Sequence, residues 1–442
     1  MKFYSTNLKA PEVSFKEALM KGQAPDKGLY MPKNIPKLSD DELKSMSKKD
    51  YSDIAFMIIK KFVDNIPDDT LIKLCNDAYN FDVPLEHITK RNYLMRLDQG
   101  PTASFKDFAA RMMARLMNYF CKKENKKLTI LTATSGDTGS AVANAFYGSE
   151  NVNMVVLFPK DEVSDRQRKQ MTTLKGNITS VSLEGKFDDC QALVKKAFSD
   201  PDLSRLNLSS ANSINIGRLV PQSVYYVYAY SRLAKNNEKI IFSVPSGNFG
   251  DMMGCVLARE MGLPVEKIIV GVNENDEFPK FLETGKYEPI KPSKKCLSNA
   301  MNVGHPSNLA RLIALYGGQM DETGKINKMP NLEKMKKDLF AISVTDNETK
   351  NTIKETYKKY KVILEPHGAV GYNALLKSKI GGLIVSLETA HPAKFPEIIR
   401  EEIGIDPKLP KSMEGLEKKK EKFSELGNNY KEFKEFLLSL SL

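Results

Sequence analysis

Tryptophan is absent from the 442 residues, and only five cysteines and four histidines occur. The cysteines (Cys75, Cys121, Cys190, Cys255, Cys296) stand tens of residues apart with no Cys-x-x-Cys pair. That spacing offers no disulfide framework and no zinc ribbon, and it suits a reducing compartment. No His-x-x-x-His pair exists either, so no metal site is expected. No run of 18 apolar residues appears, which argues against a membrane span. The N-terminal residues lack the apolar core of a secretory signal, and Glu12 and Glu17 come too early for a transit peptide. A cytoplasmic protein is expected.

Charge is present in excess, at a formal net +11. The lysines are interspersed with acids, as in Glu417-Lys418-Lys419-Lys420-Glu421-Lys422, a pattern of solvated helix faces. Without tryptophan or alternating aromatic and basic residues, there is no stacking platform for nucleic acid. A modest positive field would instead help to draw in an anionic small molecule.

Residues 1–90 read as a mainly helical domain, with apolar-rich helices around Phe15–Leu19 and Ile54–Ile59. From about 91 onward strands and helices alternate. Strand candidates are Leu128–Ala133, Val152–Phe158, Ile178–Leu183, Ile240–Val244, Ile268–Val272, Val362–Leu364 and Leu383–Leu387. Helical segments such as Asp189–Phe198 and Asp251–Met261 separate most of them. This alternation predicts an α/β protein with parallel sheets covered on both faces. The strands fall in two groups, giving one lobe over 91–235 and a second over 236–405. In the remaining 406–442, Phe423, Leu426, Tyr430, Phe433, Leu437 and Leu440 recur at three- and four-residue steps, predicting an amphipathic helix. It would pack on the protein's own body or on another subunit.

Four motifs carry chemistry. In Gly100-Pro101-Thr102-Ala103-Ser104-Phe105-Lys106-Asp107-Phe108, helical spacing begins near Ser104 and puts Lys106 in a first helical turn. The positive end of a helix dipole disfavours a permanent cation there, so the amine is expected to have a depressed pKa or to sit in a covalent bond. The second motif, Thr132 to Ser140, joins a strand to a helix through small hydroxyl residues and glycines, which expose backbone N–H groups to an anion. The third, Ser243-Val244-Pro245-Ser246-Gly247-Asn248-Phe249-Gly250-Asp251, repeats the arrangement in the second lobe. Two anion loops point to a ligand with two anionic ends. Neither matches a dinucleotide fingerprint or a Walker loop. The fourth is Glu388-Thr389-Ala390-His391-Pro392-Ala393-Lys394-Phe395, directly after a strand, where α/β sheets gather their ligands.

Together these motifs resemble the threonine synthases of the longer class, over nearly the whole chain from Gly28 to Phe395. The resemblance implies the fold-type II architecture, the tryptophan synthase β-like pair of parallel-sheet lobes. It implies pyridoxal 5'-phosphate as cofactor and O-phosphohomoserine as substrate, converted with water to threonine and phosphate. Lys106 then matches the Schiff-base lysine and general base. Ser246, Gly247, Asn248, Phe249, Gly250 and Asp251 match the cofactor-phosphate cradle, and Thr389 the partner of the pyridine nitrogen. A neutral hydroxyl there is expected to leave that nitrogen less protonated than an acid would. Thr134, Ser135 and Thr138 match the surroundings of the substrate carboxylate, and Asp137 the contact to the cofactor's ring oxygen. Asp137 stands where many relatives of the wider fold carry Asn. Asn212, Ser213, Asn215, Arg218 and Lys394 are candidates for the substrate phosphate, although Arg218 could pair with a structural acid instead. The alternatives are another enzyme of this fold, such as a serine/threonine dehydratase, or a silent homologue acting as a binding protein. Oligomeric state stays open.

Overall fold

The computed structural model describes residues 1–134, 136–235 and 237–440. Two sheets with helices on their faces dominate it. One has five strands, in the order Ser424–Leu426, Ile178–Leu183, Val152–Pro159, Leu128–Ala133 and Leu208–Ser209, all parallel. The other has six, in the order Leu339–Ser343, Val265–Val272, Ile240–Pro245, Leu383–Glu388, Asn92–Arg96 and Leu85–Thr89. All but the last are parallel; Leu85–Thr89 closes an edge antiparallel to its neighbour. The central strands are buried along their whole length, which explains why they read as continuous β-branched runs.

Several expectations need correction. The strand Asn92–Arg96, assigned to the first lobe by its place in the chain, pairs with Leu383–Glu388 in the second sheet. Val362–Leu364 is not a strand. Lys361 ends one helix in a left-handed conformation and Glu365 caps the next, so these residues only bridge two caps while Val362 and Leu364 fill a core. The N-terminal region is mainly helical as expected, and Val13–Ser14, Lys2–Ser5 and Tyr30–Pro32 add a small antiparallel sheet to it. At the other end the predicted long helix is shorter. Ser424–Leu426 is a strand added to the edge of the five-stranded sheet, and the helix runs from Tyr430 to Ser439 under an Asn429 cap. Its Phe433 and Leu437 are buried against the protein's own body.

Sheet order positions the site. Ile240–Pro245, Leu383–Glu388 and Asn92–Arg96 are adjacent and parallel, with Ser243 opposite Ser386 and Glu388 opposite Arg96. Their carboxyl ends therefore lie side by side, and the segments leaving them carry Ser246 to Asp251, Thr389 to Lys394 and, after a short loop, Lys106. In the other sheet the neighbouring strands Leu128–Ala133 and Leu208–Ser209 lead into Thr134–Thr138 and residues 210–218. Neighbouring carboxyl ends are where parallel sheets build ligand sites.

Candidate active site

The Lys106 helix spans Lys106–Glu124, and its head is tied to the six-stranded sheet by backbone bonds. The N–H of Phe105 donates to the carbonyl of Thr389 at 2.8 Å, and that of His391 to the carbonyl of Ala103 at 3.0 Å. Further along, its apolar face packs on the helix Asp137–Phe146 of the other lobe. Lys106 is half-buried, with its ammonium 4.6 Å from the centre of the Phe105 ring. Burial lowers the pKa of its amine; Asp137 opposes this, while Lys394 and Arg218 add to it. The expected depressed amine is present, and desolvation rather than the helix dipole is its main cause.

Asp137 opens its helix and meets Lys394, which arrives from the opposite lobe, at 2.5 Å with both side chains almost fully buried. Gln167 donates to the same carboxylate at 2.9 Å. Burial alone would raise the Asp137 carboxyl, but the charges of Lys394 and Lys106 outweigh it and hold the group well below the usual carboxylate range. The Lys394 ammonium also donates to the carbonyl of Thr102 at 3.1 Å.

Arg218 is buried, and no acid pairs with it among the described residues. Its Nη1 donates to the Ala211 carbonyl at 2.7 Å, and its Nε is buried without a partner. Burial brings its pKa down to about 10, against the weaker pull of Asp107 and Tyr225. A buried guanidinium with an unfilled donor is a site prepared for an anion.

The loop at 246–251 is shaped for close approach. A Cβ on Gly247 would come within 2.7 Å of the Met301 Cα, and Phe249 takes a left-handed φ of 60° at the head of the helix Gly250–Glu260. The N–H groups of Gly247, Asn248 and Phe249 make no backbone hydrogen bond among the described residues. Asn248 ties the two lobes together: its Nδ2 donates to the Ser213 hydroxyl at 2.5 Å, and its Oδ1 accepts from the Ser307 N–H at 2.6 Å. Ser246 donates through its hydroxyl to the Val244 carbonyl.

Three candidates have different work. Asn215 has no donor left for a phosphate, because its amide donates to the carbonyls of Leu19 and Ser210 while its oxygen accepts the Gly217 N–H. Asp251 does not offer its carboxylate to an anion. Its Oδ1 accepts the hydroxyls of Tyr225 and Tyr226 at 2.5 and 2.6 Å beneath the loop. Thr134 spends its hydroxyl within its own loop, accepting from Gly136 and Gly139. Thr138 and Asn212 remain half-buried. Ser135 lies outside the described residues.

Three family models match the chain: "Threonine synthase N terminus" over residues 2–79, "Pyridoxal-phosphate dependent enzyme" over 82–387, and "Threonine synthase, C-terminal" over 368–437. The threonine synthase of Haemophilus influenzae is 38% identical across 98% of this chain and 99% of its own length. The chain belongs to the threonine synthase family. The crystal structure of the pyridoxal-phosphate-bound threonine synthase from Brucella melitensis superposes with a TM-score of 0.93 at 35% identity, covering 99% of this chain and 98% of the other. The Escherichia coli threonine synthase structure superposes at 0.88 with 37% identity, over 99% of both chains. A maize serine racemase, at 14% identity and a TM-score of 0.53, shares the fold alone.

As in other threonine synthases, the cofactor class is pyridoxal phosphate, and the residues present fit it. Residues 246–250 supply a glycine-opened anion cradle at a helix head, and Lys106 supplies an amine. The sequence reading missed Glu365, His367, Gln167, Asn308 and Arg311. Arg311 is fully buried and binds the carbonyls of Ser213 and Ile214 as well as Tyr30, pinning the 210–218 loop to the N-terminal sheet. Nothing local marked it. Glu365 did carry a signal, since an acid directly before Pro366 reads as a helix cap.

Proposed function

We propose that this chain converts O-phosphohomoserine and water into threonine and phosphate, in the cytoplasm. The observation that carries this reading is a half-buried amine, Lys106, under the influence of two buried cations, Arg218 and Lys394, the first in no ion pair among the described residues. A dehydratase acting on an unphosphorylated amino acid has no need of that surplus positive charge. Bound pyridoxal phosphate would supply an electron sink for a carbanion at the amino-bearing carbon.

The protein's own groups do the rest. The loop at 246–250 would anchor the cofactor phosphate through backbone N–H groups, and Thr389 would meet the pyridine nitrogen. Lys106 would hold the cofactor and, once released, would take the proton from the substrate's α-carbon, a role that burial favours by lowering the pKa of its amine. Arg218 and Lys394, together with Asn212 and Ser213, would receive the substrate's phosphate and steady the charge that grows on it as it leaves. Thr138, with backbone N–H groups of its helix head, serves the substrate carboxylate. Asp137 lies close enough to Lys394 to keep that ammonium in place.

The test is a comparison of phosphate release from O-phosphohomoserine with keto-acid formation from threonine. Phosphate release is expected to dominate. In Lys106→Ala both the visible-edge absorbance and phosphate release should vanish; keto-acid formation as the main activity of the unaltered protein points to a dehydratase instead.

A further inference from the structure

Thr389 has a single hydroxyl proton, and its destination has chemical consequences. The hydroxyl donates to Oε1 of Glu365 at 3.3 Å, a long contact but its one hydrogen bond among the described residues. Glu365 in turn caps the helix Pro366–Ser378. Its Oε1 also accepts the Gly368 N–H at 2.8 Å, and its Oε2 accepts the N–H of His367 at 2.8 Å and the His367 Nδ1 at 2.5 Å. Four donors reach two oxygens, which fills the acceptor sites of an ionised carboxylate and leaves no acceptor for a carboxyl proton. The other ring nitrogen of His367 accepts the Ala300 N–H at 3.1 Å, so the imidazole proton belongs on Nδ1, facing Glu365. Ala300 adjoins Met301, the residue that backs Gly247. A single chain of hydrogen bonds thus runs from Thr389 through Glu365 and His367 to the wall of the cofactor-phosphate loop.

A second carboxyl lies alongside. Glu388 accepts the Glu365 N–H at 2.7 Å, and burial followed by the charge of Glu365 pushes its own carboxyl well above the usual range, against the pull of Arg96. Burial and the neighbouring Glu365 favour the protonated form of Glu388, whereas the four donors gathered on Glu365 suit a carboxylate. Glu365 also acts on Lys106, where its charge weakly opposes the effect of burial.

We propose that Glu365, acting through the Thr389 hydroxyl, is the acidic partner of the cofactor's pyridine nitrogen and holds that nitrogen protonated. The proposal rests on the placement of Thr389 at the ring given above. A hydroxyl that donates to a carboxylate can offer the ring only its lone pairs. Lone pairs attract a pyridinium N–H and repel the lone pair of a bare nitrogen. The neutral side chain therefore behaves as the relay of an acid, and the expectation of a less protonated nitrogen is reversed. Glu365 is a positioning residue: it touches neither substrate nor cofactor.

The experiment is nitrogen-15 magnetic resonance of the holoenzyme reconstituted with cofactor labelled at the ring nitrogen. The unaltered enzyme is expected to show the pyridinium position. Glu365→Gln should move it to the free-base position with cofactor still bound; Thr389→Val should do the same, and Thr389→Ser should keep the original position. A free-base nitrogen in the unaltered enzyme overturns the proposal. So does a pyridinium nitrogen that Glu365→Gln leaves in place while Thr389→Val shifts it, because the placement of Thr389 then stands and the relay fails. If neither Thr389→Val nor Glu365→Gln moves the signal, the placement at the ring is itself wrong. Should Glu365→Gln not fold, Glu365→Asp, whose shorter carboxylate withdraws from the Thr389 hydroxyl, should give the free-base position in its place, and a pyridinium signal it leaves unmoved overturns the relay.

Discussion

Asp251 shows what a single buried carboxyl does to a protein's pH response. Its Oδ2 is buried without a partner, and burial raises its pKa to about 6, against the pull of the two tyrosine hydroxyls and Lys106. A carboxyl raised on folding binds its proton more tightly in the native state, so its contribution is present at low pH and is lost as pH rises from about 4 through about 6. A rise from 3.8 to about 6 corresponds to about 3 kcal/mol. Asp251→Asn keeps the oxygen that the tyrosines need, so its urea midpoint should lack this decline and exceed that of the unaltered protein at neutral pH. Arg218 leads to the opposite kind of prediction. Arg218→Met orphans no acid, so thermal stability should hold or rise. KM for the phosphorylated substrate should climb by about 10- to 100-fold, the worth of a charge-assisted hydrogen bond of about 1.5–3 kcal/mol. The candidate residues came from short motifs at strand ends, and the structure sets those motifs side by side at neighbouring carboxyl ends. What the motifs could not convey was how each side chain is used: Asn215 and Asp251 lie inside or beside the right loops, yet packing turns their polar atoms onto carbonyls and tyrosines.

The loops owe their shape to the elements on either side. Gly247 lies where the turn after Ile240–Pro245 passes the segment Asn299–Met301, so an added methyl would strike backbone rather than a side chain that could swing aside. Gly247→Ala should weaken cofactor binding at least about tenfold, a loss of about 1.4 kcal/mol, when apoprotein is titrated with pyridoxal phosphate and followed by absorbance. Elements buried on every side were plain in the sequence, since a fully covered parallel strand must be apolar throughout. Edge and short elements were not. Leu85–Thr89 is only partly buried and mixes polar with apolar residues, and Asn92–Arg96 begins and ends on polar groups. Ser424–Leu426 hid inside a helical periodicity because Phe423 and Leu426 share the spacing of the helix that follows. Three residues are too few for a period of two to compete with it.

Across the whole molecule, the C-terminal segment belongs to the five-stranded sheet as much as the strands before it. Lys422 donates its N–H to Thr172, Glu421 binds Arg168 and Thr172, and Phe433 is fully buried over the strands. Phe433→Ala should cost about 3–5 kcal/mol, read as a lower unfolding midpoint, with KM for substrate little changed because the side chain lies away from the cleft. Lobe membership was the part of the architecture that chain order could not give, since Asn92–Arg96 precedes every strand of the first lobe yet pairs in the second. That excursion has a mechanical result. The lysine's helix is pinned at its head to one lobe and packed along its body on the other, so the amine lies near the pivot of any rotation between them. Swinging motions of one lobe against the other would leave the Lys106 amine almost stationary, as the axle of a door stays put while the panel travels.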